Sequence, residues 1–173
     1  MHYEQQSQRI LLQVRVGFII LTLVAALIFN LLPWRNLNGL PDLLALVLTF
    51  WCIHQPRRVG IGTAWFLGIL MDVSNGALLG QHAFAYSMLA FAALSLHRRI
   101  LWFSLWLQGL HVLLLLLGCQ VLMLGIRLAA GHPFPGFMYF FGPLVAAALW
   151  PLANLILLAP QRKPESVDEN RPI

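Results

Sequence analysis

The chain has 173 residues, of which 60% are hydrophobic and 10% charged, with a mean hydropathy of +0.77. So few polar groups cannot cover a water-facing surface, so a soluble globular class is excluded and an integral membrane protein is expected. The formal charge of +5 would suggest nucleic acid in a soluble protein, but here Arg and Lys occupy short gaps between apolar runs and read as topology signals.

The first stretch, residues 2–15, mixes Gln and Arg with Ile10, Leu11 and Val14. That pattern predicts a helix that begins along the lipid headgroups before entering the bilayer. Six apolar runs follow, at residues 16–32, 40–54, 59–73, 78–96, 100–125 and 137–159. A membrane helix needs roughly 20 apolar residues. The second and third runs cover only about 22 Å at 1.5 Å per residue, less than the roughly 30 Å hydrocarbon core. They must borrow flanking residues or lie inside the bundle. The first run is long and lacks a small-residue cleavage pattern, so it reads as an anchor and not a cleaved signal. Residues 161–173 are polar, contain proline and have no apolar period, which predicts a disordered cytoplasmic tail after a single six-helix transmembrane domain over residues 1–160.

Orientation follows from the loops. In a six-span arrangement Arg9, Arg15, Arg57, Arg58, Arg98, Arg99, Arg162, Lys163 and Arg171 share one side, and only Arg35 and Arg127 fall on the other. The positive-inside rule then puts both termini in the cytoplasm and Asp42 and Asp72 at the outer ends of their helices. Arg57, Arg58, Arg98 and Arg99 form a cytoplasmic basic rim that sets topology and can meet anionic headgroups.

Asp42 follows Pro41 at the start of the second run, where proline suits the first helical turn and an acid complements the helix dipole. Asp72 has no such excuse. It closes a helix, the end that disfavours negative charge, and an acid beside hydrocarbon is a candidate functional residue. Something must compensate it: Asn75, His82, Arg127, a protonated Asp42 or a group on another protein. Around it Gly68, Gly76 and Gly80 remove side chains, which allows close helix approach or a turn with positive φ near Asn75 and Gly76.

The remaining polar residues do not build a catalytic apparatus. His54, His82, His97, His111 and His132 lack metal-ligand spacing, and Cys52 and Cys119 stand in different runs as buried thiols. There is no nucleophile elbow, phosphate loop or paired-carboxylate motif, so no enzyme activity and no cofactor are expected. Two acids near the membrane offer little for ion coupling. Pro143 and Pro151 are placed to bend the sixth helix.

The chain resembles the bacterial rod shape-determining family MreD. The residues that carry the resemblance are Leu40-Pro41-Asp42-Leu43-Leu44 at the second run, Arg57 and Arg58 before the third, and Gly68, Asp72, Gly76, Leu79 and Gly80. The resemblance implies a membrane scaffold of the cell-wall elongation machinery. It also implies work beside the bitopic protein MreC, the actin-like MreB and the synthase and transpeptidase of the lateral wall. The family in turn is similar to the six-helix substrate-binding subunits of energy-coupling-factor vitamin transporters. That implies an alternative, a membrane subunit that binds a vitamin or a lipid, although its outer loops offer mainly Arg35, Asn36, Asn38, Asn75 and His132.

Overall fold

A computed structural model describes residues 15–32, 40–76 and 78–159. The expected headgroup helix before Arg15, the loop residues Arg35, Asn36 and Asn38, and the tail at 161–173 lie outside these residues. Among the described residues every regular element is helical: α1 (Val16–Leu31), α2 (Leu43–His54), α3 (Ile61–Asn75), α4 (Gln81–Leu101), α5 (Leu105–Ala129), a 3-10 turn (Phe137–Phe140), α6 (Phe141–Ala148) and α7 (Trp150–Leu158).

The shortest of the early helices lies at the centre. α2 is apolar all round, and nine of its twelve residues are buried, against α1, α4, α5, α6 and α7. Its polar atoms are satisfied inside: Thr49 Oγ1 donates to the Ala45 carbonyl, and Thr22 Oγ1 of α1 accepts from Trp51 Nε1 at 2.9 Å. Trp51 also meets Phe50 and Phe18 edge to face. The second run is short because it is core, surrounded by protein on its whole length.

The outer helices invert the usual pattern. α1 buries Ile19, Leu23 and Ala26 and turns Ile20, Leu21, Val24 and Ile28 outward. α3 exposes Trp65, Phe66 and Leu70, α4 exposes Phe84, Met88 and Phe91, and α7 exposes Leu152, Leu155 and Ile156. A belt of apolar side chains on several consecutive helices would be an aggregation liability in water and is the expected surface in lipid. Trp102 and Trp106 project from the end that carries Arg98 and Arg99, as aromatic residues do at a membrane interface.

By length and composition α5 alone among the described helices is long and apolar enough to cross a membrane. α6 with its 3-10 entry and α7 pass together as one span bent by 43°. α1 and α2, at 16 and 12 residues, are shorter apolar helices. α4 is long enough but starts with Gln81 and His82 and ends with His97, Arg98 and Arg99, which dilutes its apolar stretch. The boundary expected at residue 100 also moves: α4 runs on to Leu101, and α5 starts at Leu105 and reaches Ala129. The bend between α6 and α7 has a local cause. Pro151 carries no N–H to donate back to the Ala147 carbonyl, whereas Pro143 sits in the first turn of α6, where no such bond is lost.

α3 and α4 form the closest pair. A Cβ placed on Gly68 would lie 2.3 Å from Ala83 Cα and 2.5 Å from its backbone nitrogen. No side chain fits there, so the glycine sets the distance between the two helices. Replacing Gly68 with Ala should force backbone movement and lower stability by about 1–3 kcal/mol. Gly118→Ala, with open space at its Cβ position, should be neutral. Thermal unfolding of the detergent-solubilised protein checks the contrast, and equal midpoints for the two variants would refute the close-packing role.

Candidate functional site

Asp72 stands in the last turn of α3 and is 1% exposed. The chain leaves that helix through Gly76 at φ 57° and enters α4 through Gly80 at φ 99°, both in the left-handed region that favours glycine. This path folds the start of α4 back over the carboxylate. Asp72 Oδ2 accepts from the backbone N–H of Gly80 at 2.8 Å and of Ala83 at 3.3 Å. Oδ1 accepts from the backbone N–H of His82 at 2.8 Å and lies 2.8 Å from His82 Nδ1. An acid unfavourable at the end of its own helix thus becomes the anionic cap of the next one, facing backbone donors that α4 cannot satisfy internally.

Among the described residues the backbone donors to Asp72 are those of Gly80, His82 and Ala83. Arg127 is not the counter-charge: among the described residues the ion pair is between Asp72 and His82. Of the histidines in the apolar runs, His82 is the one placed against an acid. His54 stacks on Phe50 at 4.1 Å and His111 on Phe103 at 4.9 Å.

Asp42 caps α2 as expected, with Oδ1 accepting from Ala45 N–H at 2.9 Å. It does more than cap. The same oxygen accepts from Asn30 Nδ2 of α1 at 2.7 Å, and Oδ2 accepts from the Tyr86 hydroxyl of α4 at 2.6 Å. His82 and Tyr86, one turn apart on α4, meet edge to face with centroids 5.9 Å apart. The two acids are thereby linked through one helix, and neither Asn30 nor Tyr86 was singled out from the sequence. The signal that could have found Tyr86 is a phenol inside the small-residue stretch of α4, since a buried hydroxyl needs an acceptor.

Pro41, Asp42, Asp72, Asn75, Gly76, Gly80 and His82 thus share one end of the bundle, and Gly68 sits about one helical turn inward of Asp72, where α3 touches α4. A cavity of about 530 Å³ opens there, with Asn30, Pro41, Asp42, Asn75, His82, Gln120 and Arg127 among its walls. Arg57, Arg58, Arg98 and Arg99 are exposed at the opposite end, in the α2–α3 turn and the last turn of α4. Cys52 and Cys119 are buried free thiols. Among the described residues no three His, Cys, Asp or Glu side chains converge as metal ligands would.

The profile of the family described as rod shape-determining protein MreD matches residues 8–159. The rod shape-determining protein MreD of Haemophilus influenzae is 29% identical over 144 residues, which cover 81% of this chain and 88% of that protein. No solved structure matches the chain.

Removing the Asp72 carboxylate should unpair several buried donors at once. Asp72→Ala should cost about 3 kcal/mol or more, because each unsatisfied buried donor costs about 1–3 kcal/mol. Asp72→Asn should recover little, since its amide presents N–H groups to N–H donors. His82→Ala removes one ring contact and should cost less than either. Unfolding midpoints in detergent order the three, and an Asp72→Asn protein as stable as the parent would show that the negative charge is not needed.

Proposed function

The chain belongs to the MreD family of rod shape-determining proteins, and we propose that it acts as a non-enzymatic scaffold in the bacterial cytoplasmic membrane. In this reading it holds an MreC-like bitopic protein and, through it, MreB-like filaments and the enzymes that build the lateral wall. The observation that carries the reading is the family match across residues 8–159.

Several features support it. The polar groups of the Asp72 and Asp42 clusters are spent on each other and on backbone donors, the arrangement of a rigid framework and not of a site poised to transfer protons or groups. The outward belts on α1, α3, α4 and α7 offer apolar helix faces to lipid and to the helices of other membrane proteins. We take the described helices together with their flanks as one six-span domain over residues 1–160, the short α2 enclosed at its centre. Both termini lie in the cytoplasm beside Arg57, Arg58, Arg98 and Arg99, and Pro41, Asp42, Asp72, Asn75, Gly76, Gly80 and His82 lie at the outer end. That outer end, with its short loops, is the surface we assign to the MreC-like partner, with Gly68 fixing the framework beneath it.

The cavity at this end favours a second reading, a ligand-binding subunit of a vitamin or lipid transporter with a six-helix architecture like that of energy-coupling-factor subunits. The two readings separate in cells. Deleting the gene should turn rods into spheres, and the intact chain should restore the shape. Rods that persist but come to depend on an added vitamin would reject the scaffold in favour of the transporter subunit. Alkaline phosphatase fused after Arg171 should be silent and at Gly131 active; the reverse pattern would overturn the proposed orientation.

A further inference from the structure

Arg127 is left over by everything described so far. It lies in the last turn of α5 and on the wall of the cavity, and among the described residues its buried Nε has no hydrogen-bond partner. Asp42 shares the wall, but its oxygens are already taken by Asn30, Ala45 N–H and the Tyr86 hydroxyl. Asp72 is likewise committed to α4 and His82. A guanidinium does not lose its charge, and its planar fork suits a phosphate or carboxylate. The cavity therefore presents a permanent cation with an unmet donor.

The rest of the wall sets hydrocarbon beside polar groups, among them Asn30, Asp42, Asn75, His82 and Gln120. Phe29 and Leu32 at the end of α1, Leu116 and Met123 of α5, and Pro143 and Ala146 of α6 face the same space. Those helices also carry outward apolar side chains. A volume of about 530 Å³ lies within the range of roughly 300–1,000 Å³ typical of sites for medium-sized ligands. We propose that this cavity binds an anionic membrane amphiphile, its phosphate or carboxylate headgroup paired with Arg127 and its chain laid along the wall formed by α1, α5 and α6. A bare anion would leave that apolar wall uncovered, and an apolar chain alone would leave the guanidinium unpaired.

The site does not depend on the scaffold role, and its test is independent of cell shape. The protein purified in dodecyl maltoside is titrated with dodecyl phosphate, inorganic phosphate or dodecyltrimethylammonium, with the thermal unfolding midpoint as readout and native mass spectrometry as a count of retained molecules. Dodecyl phosphate should raise the midpoint saturably and be retained at one molecule per chain, while the other two probes do neither. Arg127→Gln should weaken the apparent affinity about tenfold or more, the loss expected for a charge-assisted pair, and Arg127→Lys should keep part of it. Met123→Trp, which fills the cavity without touching the charge, should weaken binding as well. Equal stabilisation by inorganic phosphate would make this a free-anion site and overturn the amphiphile. Equal stabilisation by dodecyltrimethylammonium, or undiminished affinity in Arg127→Gln, would overturn the role of the guanidinium. If Arg127→Gln does not fold, the comparison of the three probes on the parent chain decides alone.

Discussion

The carboxylate of Asp72 organises the outer half of this bundle. It reaches from the end of α3 to the unsatisfied N–H groups of α4 and fixes the angle at which that helix departs. With the departure fixed, α4 lies against Gly68 close enough to exclude any side chain. It then presents Tyr86 to Asp42, and Asp42 in turn holds Asn30 of α1. Four helices are tied by two carboxylates. In hydrocarbon, where apolar packing between helices gains little over contact with lipid, such fixed polar ties and close glycine contacts are what give a bundle a unique arrangement.

How much of this was legible in the sequence depends on the range of the interaction. The helical class and membrane character followed from composition, and Asp42 as a cap followed from Pro41 beside it. The cluster of Gly68, Gly76 and Gly80 was legible as allowing close approach or a positive-φ turn near Asn75 and Gly76; the structure assigns the close approach to Gly68 and positive φ to both Gly76 and Gly80. The puzzle of Asp72 was posed correctly, since an acid at a helix end is a local fact. Its solution lay eight to eleven residues on, in backbone N–H groups that every residue carries and no sequence pattern marks. The tie from Asp42 to Tyr86, 44 residues away, depends on which helices become neighbours and was invisible. The second run was legible as too short to cross alone, and α2 lies enclosed by protein, but a window of hydropathy could not choose between that and borrowed flanks.

The two ends of the bundle differ in how they treat charge. At one end arginines stay exposed, close to Trp102 and Trp106, where water and headgroups solvate them. At the other end acids are drawn inward and hydrogen-bonded, and Arg127 lines a cavity with both polar and apolar walls. Exposed cations cost nothing to keep and set orientation, whereas enclosed charges must be matched by partners placed to fit them.

The separation between Asp42 and Tyr86 also imposes an order on biosynthesis. At about 5–20 residues per second, the 44 residues between them take the ribosome roughly 2–9 s to add. Over that interval Asp42 has its own helix's N–H groups and Asn30 but lacks the hydroxyl that completes its shell. The contacts of Asp72, by contrast, close within a single hairpin almost as soon as α4 emerges. Both carboxylates are therefore completed by the first turns of one helix: α4 brings the donors of Asp72 at residues 80–83 and, one turn on, the Tyr86 hydroxyl that Asp42 awaits.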